Sequence, residues 1–127
     1  MSLLDKSKEF KKAGNILLMK GLYASSIHCF YYSTFVYMKY HLAHSVRQSI
    51  PLLIQDAPRN ASHKFVFDKF KLNIRKNKTL TTFENLYNDI VTKRIEADYS
   101  DVVITADYAN EMKTNSYELK KIIGGIR

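Results

Sequence analysis

The stretch LYASSIHCFYYSTFVYMKYHLAH, Leu22–His44, decides the fold. Its apolar side chains (Ile27, Cys29, Phe30, Tyr31, Phe35, Val36, Met38 and Leu42) point in nearly every direction around a helix, and it holds neither glycine nor proline. A helix apolar on all sides has to be surrounded by others. The stretch therefore predicts a central helix, with small residues at its start, YASSIH, that let a neighbour come close. A membrane span is not expected, because the most apolar run, Gly21 to Met38, is broken by Ser25, Ser26, His28, Ser33 and Thr34 and a span needs about 18 apolar residues.

Outward from this helix the pattern stays helical. Ser2 can cap a first helix over about Leu3–Lys20, with Leu3, Phe10, Ala13, Leu17 and Leu18 inward and Gly21 ending it. Residues 45–61, which contain both prolines, Pro51 and Pro58, read as a loop. A third helix is expected from Ser62 to about Arg75, with Val66, Phe67, Phe70 and Ile74 inward, followed by the polar connection NIRKNKT. A fourth starts near Thr79 or Thr82, with Glu84 contributing to its cap, and SDVVIT breaks the pattern. Thr105 then caps a fifth helix, Ala106–Ile123, stopped by Gly124 and Gly125. With 127 residues the chain reads as one domain, all-α, an antiparallel up-and-down four-helix bundle with a shorter fifth helix. Two prolines and four glycines are too few for the turns of a many-stranded sandwich or barrel.

Charge narrows the partners. A net charge of +8 favours an anionic one, such as nucleic acid or nucleotide. Lys64, Lys69, Lys71, Arg75, Lys76 and Lys78 face a single acid, Asp68, and interleave with Phe65, Phe67 and Phe70. They are the candidate nucleic-acid contacts, although phenylalanines at helical spacing also serve a core. The lone cysteine, Cys29, and a start, MSLLDKSKEFKK, too charged for a secretory signal lead to a cytoplasmic setting. No metal or cofactor is expected: His41 and His44 lie one turn apart, but no further ligand completes a site. There is no glycine-rich phosphate loop either.

The sharpest signal is Arg94. It stands 11 positions after Phe83, which at roughly 100° per residue returns it to the apolar face of Phe83, Leu86, Tyr87 and Ile90. An inward guanidinium keeps its proton and must find carboxylates, carbonyls or an anionic ligand. Asp98 can fold back for a bidentate contact, and Tyr99 can bury its ring and offer its hydroxyl. Two readings stand: a structural Arg–Asp–Tyr lock, or a phosphate or nucleotide site. His28 with Tyr32, and His63 at a helix start, are the other candidate ligand residues.

These segments resemble the HEPN domain family, and more narrowly its small stand-alone bacterial and archaeal members. The resemblance rests on GLYASSIHCFYYSTF, on the helix start SHK, and on Arg94-x-x-Ala97-Asp98-Tyr99, in that order across most of the chain. It implies a helical bundle, often a homodimer, often paired with a minimal nucleotidyltransferase in a toxin–antitoxin or phage-defence module. Many members are metal-independent ribonucleases whose signature is an arginine, a spacer of four to six residues and a histidine. Here the spacer from Arg94 leads to Tyr99, Ser100 or Asp101, none of them histidine. The resemblance therefore implies binding of nucleotide, RNA or a nucleotidyltransferase. The rivals are a ribonuclease that takes its histidine from elsewhere, His28 or His63, and a structural interaction module without ligand.

Overall fold

In a computed structural model, residues 2–44 and 62–125 are described, and the segment read as a loop, 45–61, lies outside them. The described residues are all-α, without strands: α1 (Leu3–Met19), α2 (Tyr23–His44), α3 (Ser62–Lys71), α4 (Asn77–Tyr99) and α5 (Ala106–Gly125). None of these helices is long and apolar enough to cross a membrane.

The ends of α1 follow from local chemistry. Ser2 and Asp5 form a reciprocal capping box, Asp5 N–H donating to Ser2 Oγ at 3.0 Å. At the other end, Gly21 N–H donates to the Leu18 carbonyl and Leu22 N–H to the Leu17 carbonyl, with Gly21 at φ 76°. This is a Schellman closure, and its left-handed residue favours glycine. The most buried residues of α1 are not the expected leucines but Ser7 and Gly14. Ser7 Oγ donates to the Ser33 carbonyl and Ser33 Oγ to the Ser7 carbonyl, both at 2.7 Å. The Phe30 ring lies where a side chain on Gly14 would stand. Small residues on both helices bring α1 and α2 close enough for each serine side chain to reach the other helix's backbone.

As its composition predicts, α2 touches each of the other four helices. It contributes Ile27, Phe30, Tyr31, Phe35, Met38 and Leu42 to a core shared with Val66, Phe67 and Phe70 of α3, Phe83, Tyr87 and Ile90 of α4, and Met112, Leu119 and Ile123 of α5. Each such fully buried side chain contributes roughly 1.5–3 kcal/mol relative to exposure. Several boundaries differ from expectation. α5 runs through Gly124 and Gly125, the glycines expected to stop it at Ile123. α3 stops at Lys71, and α4 begins at Asn77, so Glu84 lies within α4 rather than at its cap and pairs with Lys71 at 3.7 Å. Ile74, placed on α3 by periodicity, is buried from the connection between the two helices. Thr105 does cap α5, its Oγ1 accepting from Tyr108 N–H at 3.2 Å.

Candidate functional site: a guanidinium on a buried tyrosine

Helical spacing puts His28, Tyr31, Tyr32 and Phe35 on one face of α2, and Tyr87, Arg94 and Asp98 on one face of α4. Where these faces meet, the guanidinium carbon of Arg94 sits 4.8 Å from the centroid of the Tyr31 ring. Such cation–π seating fits arginine, whose flat head is weakly hydrated. The Arg94 side chain is only 17% exposed, so the inward phase read from the sequence is the observed one.

Its pairing is not the expected one. Arg94 Nη1 reaches Asp98 Oδ2 at 3.7 Å, too long for the bidentate fork. Asp98 instead accepts from His28 Nδ1, at 2.9 Å to Oδ2 and 3.1 Å to Oδ1. That contact puts the imidazole proton on Nδ1 and leaves Nε2 as the second functional atom. Among the described residues the buried Arg94 Nε has no hydrogen-bond partner. Its long contact to Asp98 leaves the guanidinium without a close carboxylate there.

Tyr99 takes no part in this cluster: it is 77% exposed, contrary to the expectation that its ring is buried. α4 continues through Tyr99 instead of ending before Asp98. Five residues after Arg94, at about 100° each, turn Tyr99 roughly 140° away from the site.

The first turn of α3 brings His63. Its ring stacks on Phe35, with centroids 4.0 Å apart and planes within 6°, and its Nδ1 lies 2.6 Å from the Tyr31 hydroxyl. Tyr87 Oη donates to the His63 carbonyl at 3.4 Å. Burial, then Tyr87, pushes the Tyr31 hydroxyl far above the usual phenol range, so it keeps its proton. Burial, then Arg94 and Lys39, lowers the His63 imidazole. A neutral His63 accepts from Tyr31 at Nδ1 and carries its own proton on Nε2. Lys39 lies 5.5 Å from the Phe35 centroid, and burial, then Lys6, lowers its ammonium. Arg94 and Lys39 are thus two cations whose charge is felt at the His63 imidazole.

Of the sequence candidates, the structure brings together Arg94, Asp98, His28, Tyr32 and His63; Tyr32 packs 4.7 Å from His28 and 5.6 Å from His63, centroid to centroid. Sequence reasoning missed Tyr31, Tyr87 and Lys39 as members. Helical phase held the signal, since Tyr31 is three residues after His28 and Tyr87 seven before Arg94. A cavity of about 340 Å³ opens beside the cluster, lined by Ser25, His28, Cys29 and Asp98. Burial raises the Cys29 thiol, which makes it a poor nucleophile. Among the described residues no group of three or more His, Cys, Asp or Glu is placed to hold a metal ion.

The basic run of α3 is partly committed. Lys64 pairs with Asp68 at 2.8 Å, Lys71 sits between Asp68 and Glu84, and Lys69 lies over Phe65. Arg75, Lys76 and Lys78 are exposed. Phe67 and Phe70 belong to the core. No protein-family model matches this chain, and no curated protein or solved structure matches it either.

Proposed function

We propose that the chain is a HEPN-like protein that binds the phosphate of RNA or of a nucleotide at Arg94. In this reading α1, α2, α4 and α5 form an antiparallel up-and-down bundle with α3 as the shorter fifth helix. The order of contacts between neighbours supports it: Ser7 with Ser33 and Gly14 with Phe30, then Lys93 with Glu111 and Glu96 with Tyr108. The proposal extends to a homodimer whose cleft holds Arg94, and to a place beside a minimal nucleotidyltransferase in a bacterial or archaeal toxin–antitoxin or defence module.

One observation carries the reading. The Arg94 guanidinium lies over Tyr31, its nearest carboxylate is taken by His28 and stands 3.7 Å away, and among the described residues its Nε has no partner. A structural lock would hold the guanidinium in a close bidentate pair; the long Asp98 contact leaves its charge to be met by a phosphate. The test is fluorescence anisotropy of a labelled single-stranded RNA and of a labelled nucleotide against wild type and Arg94→Gln. The expected result is at least a tenfold loss for the variant with its helical signal unchanged. Equal affinity in a folded variant overturns the reading.

A second reading, a metal-independent ribonuclease, is favoured by His63 and His28 lying in the same cluster as Arg94. A neutral imidazole can take the 2′-hydroxyl proton while the guanidinium holds the scissile phosphate. Cleavage of a mixed RNA pool by wild type and not by His63→Gln or Arg94→Gln decides for it. An intact pool, with the protein alone and with its genomic neighbour present, decides against it.

A further inference from the structure

A larger cavity lies on the opposite face of α2. Phe30 and Ser33 are turned by roughly 140–200° from His28 around the helix axis. They border a space of about 610 Å³ between α1, α2 and α5, within the roughly 300–1,000 Å³ usual for small-ligand sites. Three cations line it, Lys11 from α1 and Lys113 and Lys120 from α5, and no aspartate or glutamate does.

The least compensated cation is Lys120. Its ammonium contacts the Ser33 hydroxyl and lies 5.4 Å from the Tyr37 ring. Burial and the neighbouring Lys11 lower it to about 8. The nearby acid on its own helix, Glu118, pairs with Lys121 instead. Ser116 and Asn15, whose buried Oγ and Oδ1 have no hydrogen-bond partner among the described residues, lie in the wall of the same cavity. A concavity that gathers three cations and no acid is the electrostatic setting of an anion site. Tyr117, 54% exposed, supplies a flat apolar wall.

We propose that this cavity binds a small organic anion with a flat aromatic body: an aromatic carboxylate, sulfonate or phosphate monoester. The anionic head lies among Lys11, Lys113 and Lys120. The ring packs on Tyr117. The site shares no residue with the Arg94 cluster and stands or falls independently of it.

The test uses the full chain and two dyes of the same shape. 8-Anilinonaphthalene-1-sulfonate has the ring, the N–H and the anionic head; N-phenyl-1-naphthylamine has the ring and the N–H alone. Wild type is expected to bind one equivalent of the sulfonate at least about tenfold more tightly than the neutral dye, by titration calorimetry. Lys120→Met should lose that difference and keep its affinity for the neutral dye within about twofold. Lys12→Met, which removes an exposed charge elsewhere on α1, should bind as wild type does. If Lys120→Met fails to fold, Lys113→Met at the rim is the substitute, with about a threefold loss expected for the sulfonate alone. Equal binding of the two dyes by wild type overturns the proposal. So does an unchanged sulfonate affinity in the folded Lys120 variant, or in the Lys113 variant where that is the one measured.

Discussion

Asp98 turns its carboxylate to His28 and leaves Arg94 at the longer distance: Oδ2 is 2.9 Å from His28 Nδ1 and 3.7 Å from Arg94 Nη1. The acid nearest Arg94 therefore serves chiefly to orient an imidazole from another helix. It also competes with any anion that approaches the guanidinium.

Removing that charge separates the two effects. With Asp98→Asn, phosphate or RNA at Arg94 loses a repulsive neighbour worth about 1 kcal/mol at 4 Å in water-like screening. Affinity is expected to rise about fivefold, measured by the same anisotropy titration as for Arg94→Gln. A fall in affinity would mean that the Asp98–His28 pair itself contacts the ligand.

His63 makes stability depend on pH. Its folded-state pKa lies below the ordinary 6.5, with burial the main cause. The unfolded chain therefore binds more protons than the folded one as pH falls below about 6.5, and stability drops with it. The contribution is whole above that value and is lost on acidification. His41, lowered by burial and by His44, adds a slope of the same sign. Urea unfolding at pH 7.5 and pH 5.5 should show wild type losing stability at the lower pH, and His63→Phe losing less. Equal losses would place the sensitivity elsewhere.

Much of this architecture was legible in the chain because its signals are local. Ser2, Gly21 and Thr105 mark helix ends through their own backbone chemistry, and the inward phase of Arg94 follows from counting residues after Phe83. The end of α3 was not legible, since NIRKNKT carries no glycine or proline to stop a helix and Asn77 can start one. The site was legible only residue by residue. His28 meets Asp98 across 70 positions of sequence, and His63 reaches Tyr31 across 32. Such pairings depend on how helices dock, which periodicity within one helix does not encode. The misplacement of Tyr99 came from ending α4 too early; one further turn of helix faces it outward.

The seam between α1 and α2 is set by Gly14. An added Cβ there would stand 2.8 and 2.9 Å from Phe30 ring carbons, and Phe30 is itself 2% exposed. Glycine to alanine within a helix ordinarily gains about 1 kcal/mol. Overpacking costs about 1–3 kcal/mol, and with two ring carbons inside 3.0 Å the clash should win although Phe30 borders the cavity between α1, α2 and α5. Gly14→Ala is expected to lower Tm by several degrees in a thermal melt. A raised Tm would show that α1 can slide on α2.

Lys93 joins α4 to α5 through a nearly buried charge. Its side chain is 8% exposed, with Nζ 2.9 Å from Asp89 and 3.5 Å from Glu111, and 4.5 Å from the Tyr108 centroid. Asn115 donates to the other Asp89 oxygen at 2.6 Å. Lys93→Met keeps the aliphatic stem on the Tyr108 ring and removes only the ammonium. Because Glu111 is 65% exposed and Asp89 36%, water screens much of what is lost. The cost should be about 1 kcal/mol rather than the roughly 3–5 kcal/mol of a fully buried pair. Lys93→Ala also opens a gap against Tyr108 and should cost about 1 kcal/mol more. Urea unfolding of both variants at neutral pH measures the two parts separately. A Lys93→Met protein as stable as wild type would assign the α4–α5 contact to packing alone, with the ion pair contributing nothing net.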